Sequence, residues 1–155
     1  MLAKVDWAHL IPHKGTMCLL DDVMSWTSDA IHARSDSHRR IDNPLRSDGV
    51  LRAVHLCEYG AQSMAVHGAL IARQLGLAVS TGFLVSLRGV VLGVARIDNL
   101  EGSLDVYGER LLASETSWQY AFRVELAGVE IASGRAAVML RQVPGMGNRE
   151  SRMER

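Results

Sequence analysis

The chain has 155 residues, of which 48% are hydrophobic and 22% charged, and its formal net charge is zero. This length and composition are those of one ordinary globular domain. A zero net charge provides no bulk attraction to nucleic acid or to a membrane surface, so it argues against a nucleic-acid-binding protein and leaves only local charged patches to consider.

Two cysteines, Cys18 and Cys57, form neither a Cys-x-x-Cys pair nor a metal-type cluster. We interpret them as reduced core thiols of a cytoplasmic protein and predict no metal site. The N-terminal residues lack the apolar core of a signal peptide. No run of about 18 apolar residues is present that would span a bilayer, so we expect no membrane span.

The first third of the chain predicts short elements followed by a loop. Residue patterns indicate a helix at 3–10, strands at 17–26 and 30–35, and a loop at 36–49. The helix is expected to end at Ile11-Pro12, because a residue before proline disfavours helical geometry. The loop is rich in Asp, Ser, Asn, Pro and Gly, a composition typical of turns.

The longest predicted element is a helix over residues 51–75. Apolar or small residues recur in it at helical spacing, at Val54, Ala61, Ala65, Gly68 or Ala69, and Ala72. Gly76 follows, where the C-terminus of a helix favours glycine. Because this stripe is made of alanine and glycine, we expect another part of the fold to wrap closely around it.

Glu58 falls within the same stripe, four residues after Val54 and three before Ala61. A buried carboxylate is costly unless it is paired or protonated. The alternative is that Glu58 lies at the edge of the stripe and reaches water, since charged residues are seldom buried. Spacing alone leaves both interpretations open.

Four strands are predicted after the helix, at 82–97, 103–113, 118–126 and 129–140. Alternating apolar and polar side chains and intervening turn residues indicate a meander. Consecutive antiparallel strands form one sheet, and the long helix is the only element available to cover its core face. Open strand edges would be covered by dimerisation.

These elements predict an α+β fold. We expect one domain over residues 1–142 and a flexible C-terminal tail at 143–155, where glycine and charged residues show no periodicity.

Three segments resemble bacterial 3-hydroxyacyl-acyl-carrier-protein dehydratases. Ile11-Pro12-His13-Lys14 with Met17–Val23 is similar to their "LPHR…fLLvDrV" opening, Leu56–Gln62 to their "iiEamaQ" helix segment, and residues 121–136 to their last hairpin. The likeness spans residues 9–141. Residues 43–46 and 58–68 are more similar to the branch found in aryl-polyene pigment clusters than to the housekeeping fatty-acid enzyme.

The resemblance implies a hotdog fold, in which a curved antiparallel sheet of about six strands wraps a long central helix. It also implies that the chain removes water from a 3-hydroxyacyl thioester to form the trans-2-enoyl thioester, in fatty-acid-like or polyene biosynthesis. The acyl group is expected on the phosphopantetheine of an acyl carrier protein. No cofactor is implied.

Such a dehydration needs a base for the proton beside the carbonyl and an acid for the departing hydroxyl. Glu58 matches the family's catalytic acid, and His38 is the expected base. His38 departs from the family pattern, because Pro44 stands in the usual histidine context and His38 lies twenty residues before Glu58. An insertion in the loop would reconcile the spacing; otherwise His38 is a solvated loop histidine.

Three further residues are expected to support the site. Asn43 shapes the active-site loop or simply forms a turn. Gln62, one helical turn after Glu58, either orients that carboxyl or satisfies a backbone group. Arg52, with other loop arginines, meets an acidic carrier protein or its phosphate, or is only a solvated charge.

Three other histidines are given structural interpretations. His13 is expected to make a hydrogen bond in the opening motif, and His55 to be packed or at an interface even though its spacing allows it to face Glu58. His67 lies nine residues beyond Glu58, too far along a helix to share its chemistry.

Two other functions remain open. One is a hotdog-fold acyl thioesterase, which would use a carboxylate and water. The other is a non-catalytic hotdog subunit that completes a partner's site. In either case we expect a twofold dimer, a homodimer or a heterodimer with another hotdog protein; in the dehydratase, His38 of one subunit would act with Glu58 of the other.

Overall fold

The computed structural model describes residues 1–78 and 82–140, so the predicted tail at 143–155 lies outside the described residues. A short helix α1 (Lys4–Trp7) precedes the other elements. These are β1 (Asp22–Trp26), β2 (Ala30–Ser35), the long helix α2 (Leu56–Gln74), β3 (Gly82–Leu92), β4 (Leu104–Ala113), β5 (Ser117–Leu126) and β6 (Val129–Leu140). No helix within 1–78 or 82–140 is both long and apolar enough to cross a membrane.

The described strands form one six-stranded antiparallel sheet in the order β1-β2-β4-β5-β6-β3. This confirms the predicted α+β fold of one long helix and one sheet. The predicted simple meander is wrong at one connection, because β3 pairs with β6 rather than with its neighbour β4. Alternation of side chains shows which residues lie on each face of a strand but not which strand pairs with it. The connection after β3 crosses from the edge of the sheet to its centre, where β4 lies between β2 and β5.

Helix α2 begins later than the periodicity predicted. A single 3₁₀ turn, Ala53–His55, precedes it. Leu51 is held in extended backbone, because its N–H donates to Asp98 Oδ1 at 2.9 Å and its carbonyl accepts from the N–H of Ile97 at 2.9 Å. Gly76 follows the helix with a φ of 70°, as the predicted glycine stop requires.

Only part of the predicted stripe of α2 is fully buried, namely Gly68 and Ala69. Val54 is 53% exposed, and Ala61 and Ala65 are only partly buried. The fully buried side instead carries Tyr59, Gly60, Ser63, Met64, Val66, His67 and Leu70. Because tyrosine, serine and histidine interrupt the apolar pattern of this face, the periodicity of apolar residues did not reveal it.

The expectation of close wrapping is nevertheless confirmed at two glycines. A Cβ added at Gly60 would lie 2.6 Å from the ring of Phe122 on β5, and one added at Gly68 would overlap the ring of Trp118. Small residues therefore let the sheet approach the helix backbone directly.

Replacement of Gly60 by alanine should destabilise the fold. The added methyl gains up to about 1 kcal/mol in helix propensity, but it displaces the Phe122 ring, and overpacking costs about 1–3 kcal/mol. We expect a net loss of about 1–2 kcal/mol in the free energy of unfolding, measured by urea titration.

The matched control is Gly93→Ala, because a Cβ there would meet only backbone atoms at 3.6 Å or more. Its unfolding midpoint should stay close to that of the unchanged chain. Equal effects of the two substitutions would contradict close packing at Gly60.

Candidate active site

The loop after β2 carries His38 into the interior. His38 belongs to a 3₁₀ turn, Ser37–Arg39, and is 0% exposed. Its Nε2 lies 3.0 Å from the carbonyl oxygen of Leu100, which can only accept, so Nε2 carries the hydrogen. Nδ1 therefore holds a lone pair, and it has no hydrogen-bond partner among the residues that the structure describes.

Asn43 anchors this loop to α2. Its Nδ2 donates to the carbonyl of Ser37 at 2.9 Å and to Tyr59 Oη at 3.2 Å, and its Oδ1 accepts from the N–H of Leu45. The Tyr59 hydroxyl lies 2.7 Å from Ser37 Oγ. Every polar atom of Asn43 is thus used in holding the loop against the helix, which gives it a positioning role for the segment that carries His38.

Gln62 is occupied by backbone groups and not by Glu58. Its Oε1 accepts from the N–H groups of Leu19 and Leu20 at 2.6 and 3.0 Å, and its Nε2 donates to the carbonyl of Met17 at 2.8 Å. Of the two interpretations from sequence, the structure therefore shows the second. Gln62 ties the segment before β1 to the centre of α2.

Glu58 lies in the first turn of α2, and its side chain is 48% exposed. Of the two positions that the sequence left open for this carboxylate, buried or in contact with water, the single chain therefore has the second. Its Oε2 is 3.1 Å from Nδ1 of His55, whose side chain is 29% exposed. The described chain does not bring His38 and Glu58 together through a hydrogen bond. Instead it places beside the carboxylate a histidine that sequence analysis had interpreted as packed or interfacial.

The arginines near the loop differ in their surroundings. Arg52 and Arg39 are exposed, and Arg40 pairs with Asp21 at 3.2 Å. Arg46 donates instead to two backbone carbonyls, those of Arg40 and Gly49. Two exposed arginines thus flank the site along the chain, Arg39 in the loop after β2 and Arg52 just before α2.

The helix face that continues from Glu58 borders a cavity of about 500 Å³. From α2 the lining comes from Ala61, Met64, Ala65, Gly68 and Ala69. The other walls are residues 9–13, the start of β3, the ends of β6, and Trp118 and Tyr120 of β5. Ala61 and Ala65 of the predicted stripe thus border an apolar space, whereas Gly68 packs against the Trp118 ring.

Tyr120 lines the cavity and belongs to a buried polar pair with His67. Tyr120 Oη donates to Nδ1 of His67 at 2.7 Å, and Nε2 of His67 donates to the carbonyl of Thr27 at 2.7 Å. Both side chains are fully buried. Burial raises the pKa of Tyr120 well above its usual range and lowers the pKa of His67, so both groups are neutral at pH 7.

Metal binding has no candidate in the described part of the chain. Across 1–78 and 82–140, no three His, Cys, Asp or Glu side chains are grouped closely enough to hold an ion.

Replacement of Gln62 by alanine should destabilise the fold by about 2–3 kcal/mol, because two buried N–H groups and one carbonyl lose their partner. The free energy of unfolding from urea titration measures this loss. Gln119→Ala, at an exposed position on β5, is the control and should change stability by less than about 0.5 kcal/mol. A neutral Gln62→Ala substitution would contradict the anchoring role.

Stability should decrease in mild acid. Burial lowers the pKa of His38 and of His67 in the folded chain, so the unfolded chain binds more protons below about pH 6.5. The stability that the two neutral histidines contribute is fully present above that pH. It is lost as the pH falls towards their pKa in the folded chain. We expect the free energy of unfolding to drop between about pH 7.5 and pH 5.5, by at most about 1.4 kcal/mol per pH unit per histidine.

The check is urea unfolding at both pH values for the unchanged chain, His67→Gln and His9→Gln. His67→Gln should flatten the pH dependence, whereas His9→Gln, at an exposed histidine, should leave it unchanged. An unaltered slope in His67→Gln would show that another group causes the acid sensitivity.

Comparisons with known proteins find solved structures that share this architecture. A solved dehydratase heterocomplex, ApeI:P from Xenorhabdus doucetiae, is 21% identical, with a TM-score of 0.80 over 91% of this chain and 94% of that chain. Thioesterase HI1161 from Haemophilus influenzae is 9% identical, with a TM-score of 0.65 over 94% and 95%. A hypothetical thioesterase with coenzyme A from Streptococcus pneumoniae is 9% identical, with a TM-score of 0.57 over 77% and 84%.

At these identities the solved structures establish the hotdog fold, which confirms the fold that the resemblance implied. A comparison with curated proteins finds no match. The family model described as ApeP-like, ApeP dehydratase, matches residues 5–145, far more than half of the chain. The chain therefore belongs to the ApeP-like dehydratase family, and the resemblance to dehydratases of the aryl-polyene type is confirmed.

Proposed function

We propose that this dehydratase removes water from a 3-hydroxyacyl thioester on an acyl carrier protein and releases the trans-2-enoyl thioester. One observation carries the proposal. Glu58, the expected acid, stands on the helix face that continues into an apolar cavity beginning one turn later at Ala61. A proton donor next to a space for an acyl chain is the arrangement that the reaction needs.

The cavity suits an unbranched apolar chain. From Glu58 to Gly68, where the Trp118 ring closes on the helix, the helix advances by about 15 Å. A thioester placed beside Glu58 would direct its acyl tail along Ala61 and Ala65. Along that direction α2 presents alanine at both positions, with Met64 lining the cavity between them.

His38 is the base that the family resemblance implies. Its hydrogen-bonded Nε2 and free Nδ1 give it the tautomer of a proton acceptor, and burial lowers its pKa so that it is neutral at pH 7. Its complete burial opposes the role, since a base must reach the substrate. His38 would therefore act only if its loop opened when a partner subunit or substrate bound.

Strand β3 supports assembly with a second hotdog chain. It lies at one end of the sheet and exposes apolar side chains on both faces, namely Phe83, Leu84, Val85, Leu87, Val90, Val91 and Leu92. A long, exposed, apolar edge strand of this kind is a template for pairing with another chain. The partner is a second copy or another hotdog protein, as in the ApeI:P heterocomplex.

Two exposed arginines support a carrier-bound substrate. Arg52 and Arg39 are exposed next to the loop and the helix start, where they would meet the phosphate of phosphopantetheine or an acidic carrier surface. Glu58 lies six residues after Arg52 along the same segment.

Glu58→Gln should reduce dehydration by at least about 10²-fold, because the amide cannot donate a proton to the departing hydroxyl. The thermal midpoint should stay unchanged, since the side chain is exposed. The assay follows the enoyl product from a 3-hydroxyacyl thioester, with Glu109→Gln, at an exposed position on β4, as the control. Near-normal turnover by Glu58→Gln would remove the acid role.

The same assay separates dehydration from thioester hydrolysis. Release of free thiol without any enoyl product would identify a thioesterase, a function that several proteins of this fold carry in their names.

Val91→Lys should convert the native oligomer into monomers, because assembly through β3 would bury the added charge. Light scattering of the purified chain, alone or with its hotdog partner, measures this change. Val129→Lys is the matched control, since Val129 is as exposed as Val91 but lies at the start of β6. A Val91→Lys oligomer of unchanged mass would exclude β3 as the interface.

A further inference from the structure

We propose that Trp118 determines the chain-length specificity of this enzyme, because its ring stands at the end of the cavity that lies away from Glu58. The inference rests on the proposed dehydratase function and narrows its substrate class. The preferred substrates are 3-hydroxyacyl thioesters of medium length, with acyl chains on the order of ten carbons.

The cavity follows helix α2 away from Glu58. Its helix lining begins at Ala61 and ends with Gly68 and Ala69. Glu58 and Gly68 are ten residues apart in the sequence, which corresponds to about 15 Å of helix. The direction of the cavity therefore relates the length of a bound acyl chain to a position on α2.

The Trp118 ring lies at the level where this helix lining ends. A Cβ added to Gly68 would overlap the ring, so the indole lies directly against the helix backbone. In the sheet, Trp118 pairs with Val138 of β6, and Val138 pairs with Leu84 of β3. All three side chains line the cavity, since directly opposed residues of antiparallel strands point to one face. They form a row across the sheet at the level of Gly68.

Strand β5 presents its inward rings in order along the helix. Phe122 meets Gly60 near the start of α2, and Trp118 meets Gly68 two turns later. Tyr120 lies between these two rings, because alternate residues of a strand share a face. Trp118 is therefore the inward ring of β5 that lies farthest from the start of the helix.

The surroundings of Trp118 restrict its movement. Besides the helix backbone, its ring meets the ring of Tyr120, with 6.2 Å between the centroids. The guanidinium carbon of Arg110 lies 5.7 Å from the indole centroid. Tyr120 is itself fixed by the 2.7 Å hydrogen bond between its hydroxyl and Nδ1 of His67. A ring packed in this way yields little, so the length that it allows is well defined.

The allowed length follows from these distances. A methyl group in contact with the ring stays about 4 Å from it, which leaves about 11 Å of the 15 Å of helix for the chain. An extended chain gains about 1.2 Å per bond, since a residue of three backbone bonds spans about 3.5 Å. With C3 of the substrate beside Glu58, about nine further carbons fill this distance.

The test measures kcat/KM for butanoyl, decanoyl and hexadecanoyl members of a 3-hydroxyacyl-pantetheine thioester series. It uses the full chain in its native oligomer and follows the enoyl product. The variants are Trp118→Ala, Trp118→Leu and Ala65→Leu. Gln119→Ala is the matched control, because Gln119 neighbours Trp118 on β5 but is exposed and lies on the other face of the sheet. Ratios between substrates are compared, because a ratio does not depend on the fraction of a variant that folds.

We expect the unchanged chain to prefer the decanoyl to the hexadecanoyl substrate by about 10-fold or more. Trp118→Ala should shift the hexadecanoyl-to-decanoyl ratio upwards by about 10-fold or more, because a single methylene in an apolar pocket can change kcat/KM by that factor. Trp118→Leu should produce a smaller shift in the same direction. Gln119→Ala should keep the ratio of the unchanged chain.

Ala65→Leu tests the path of the chain independently of Trp118. Ala65 lines the cavity about 10 Å along the helix from Glu58, so a leucine there would meet the decanoyl tail but not the butanoyl one. The decanoyl-to-butanoyl ratio should fall by about 10-fold.

An unchanged hexadecanoyl-to-decanoyl ratio in both Trp118 variants, or an equal shift in Gln119→Ala, would overturn the inference. An unchanged decanoyl-to-butanoyl ratio in Ala65→Leu would also overturn it, because the acyl chain would then lie elsewhere. These results would leave the proposed function intact, since the unchanged chain would still dehydrate its substrates. Absence of dehydration of every substrate by the unchanged chain would overturn the proposed function and this inference together.

Discussion

The close approach of helix α2 to the sheet is the constraint on which the rest of the molecule depends. At Gly60 and Gly68 the backbone of the helix meets the rings of Phe122 and Trp118 with no Cβ between them. Protein interiors are packed too densely for such contacts to yield. These contacts therefore determine the rotation of α2 about its own axis. They also determine which side of the helix faces the cavity.

The buried side of the helix is unusually polar, and each polar group there is satisfied. Tyr59 binds the loop after β2, Gln62 binds the segment before β1, and His67 binds Tyr120 and a turn carbonyl. A buried polar group without a partner would be destabilising. Because their partners come from three different segments, these side chains also fasten the N-terminal part of the chain around the helix.

The opposite side of the helix is left with small residues and one carboxylate. Ala61 and Ala65 border the cavity, and Glu58 stands at its approach with His55 in contact. Within a single chain this face is open to water. Assembly through the apolar edge strand β3, as proposed, would add a second chain to a surface that one chain leaves incomplete.

The sequence by itself determined the long helix, nearly all the strands and Glu58 as the candidate acid, because helix period, strand alternation and a family motif are local properties. Only the tertiary structure decided that β3 pairs with β6, that the alanine stripe faces a cavity, and that His38 is buried while His55 contacts Glu58. Periodicity groups residues on a face of a helix but does not say what that face meets. The packing of the whole chain decides that, through the face that allows the closest approach of the sheet and pairs the buried polar groups of the helix.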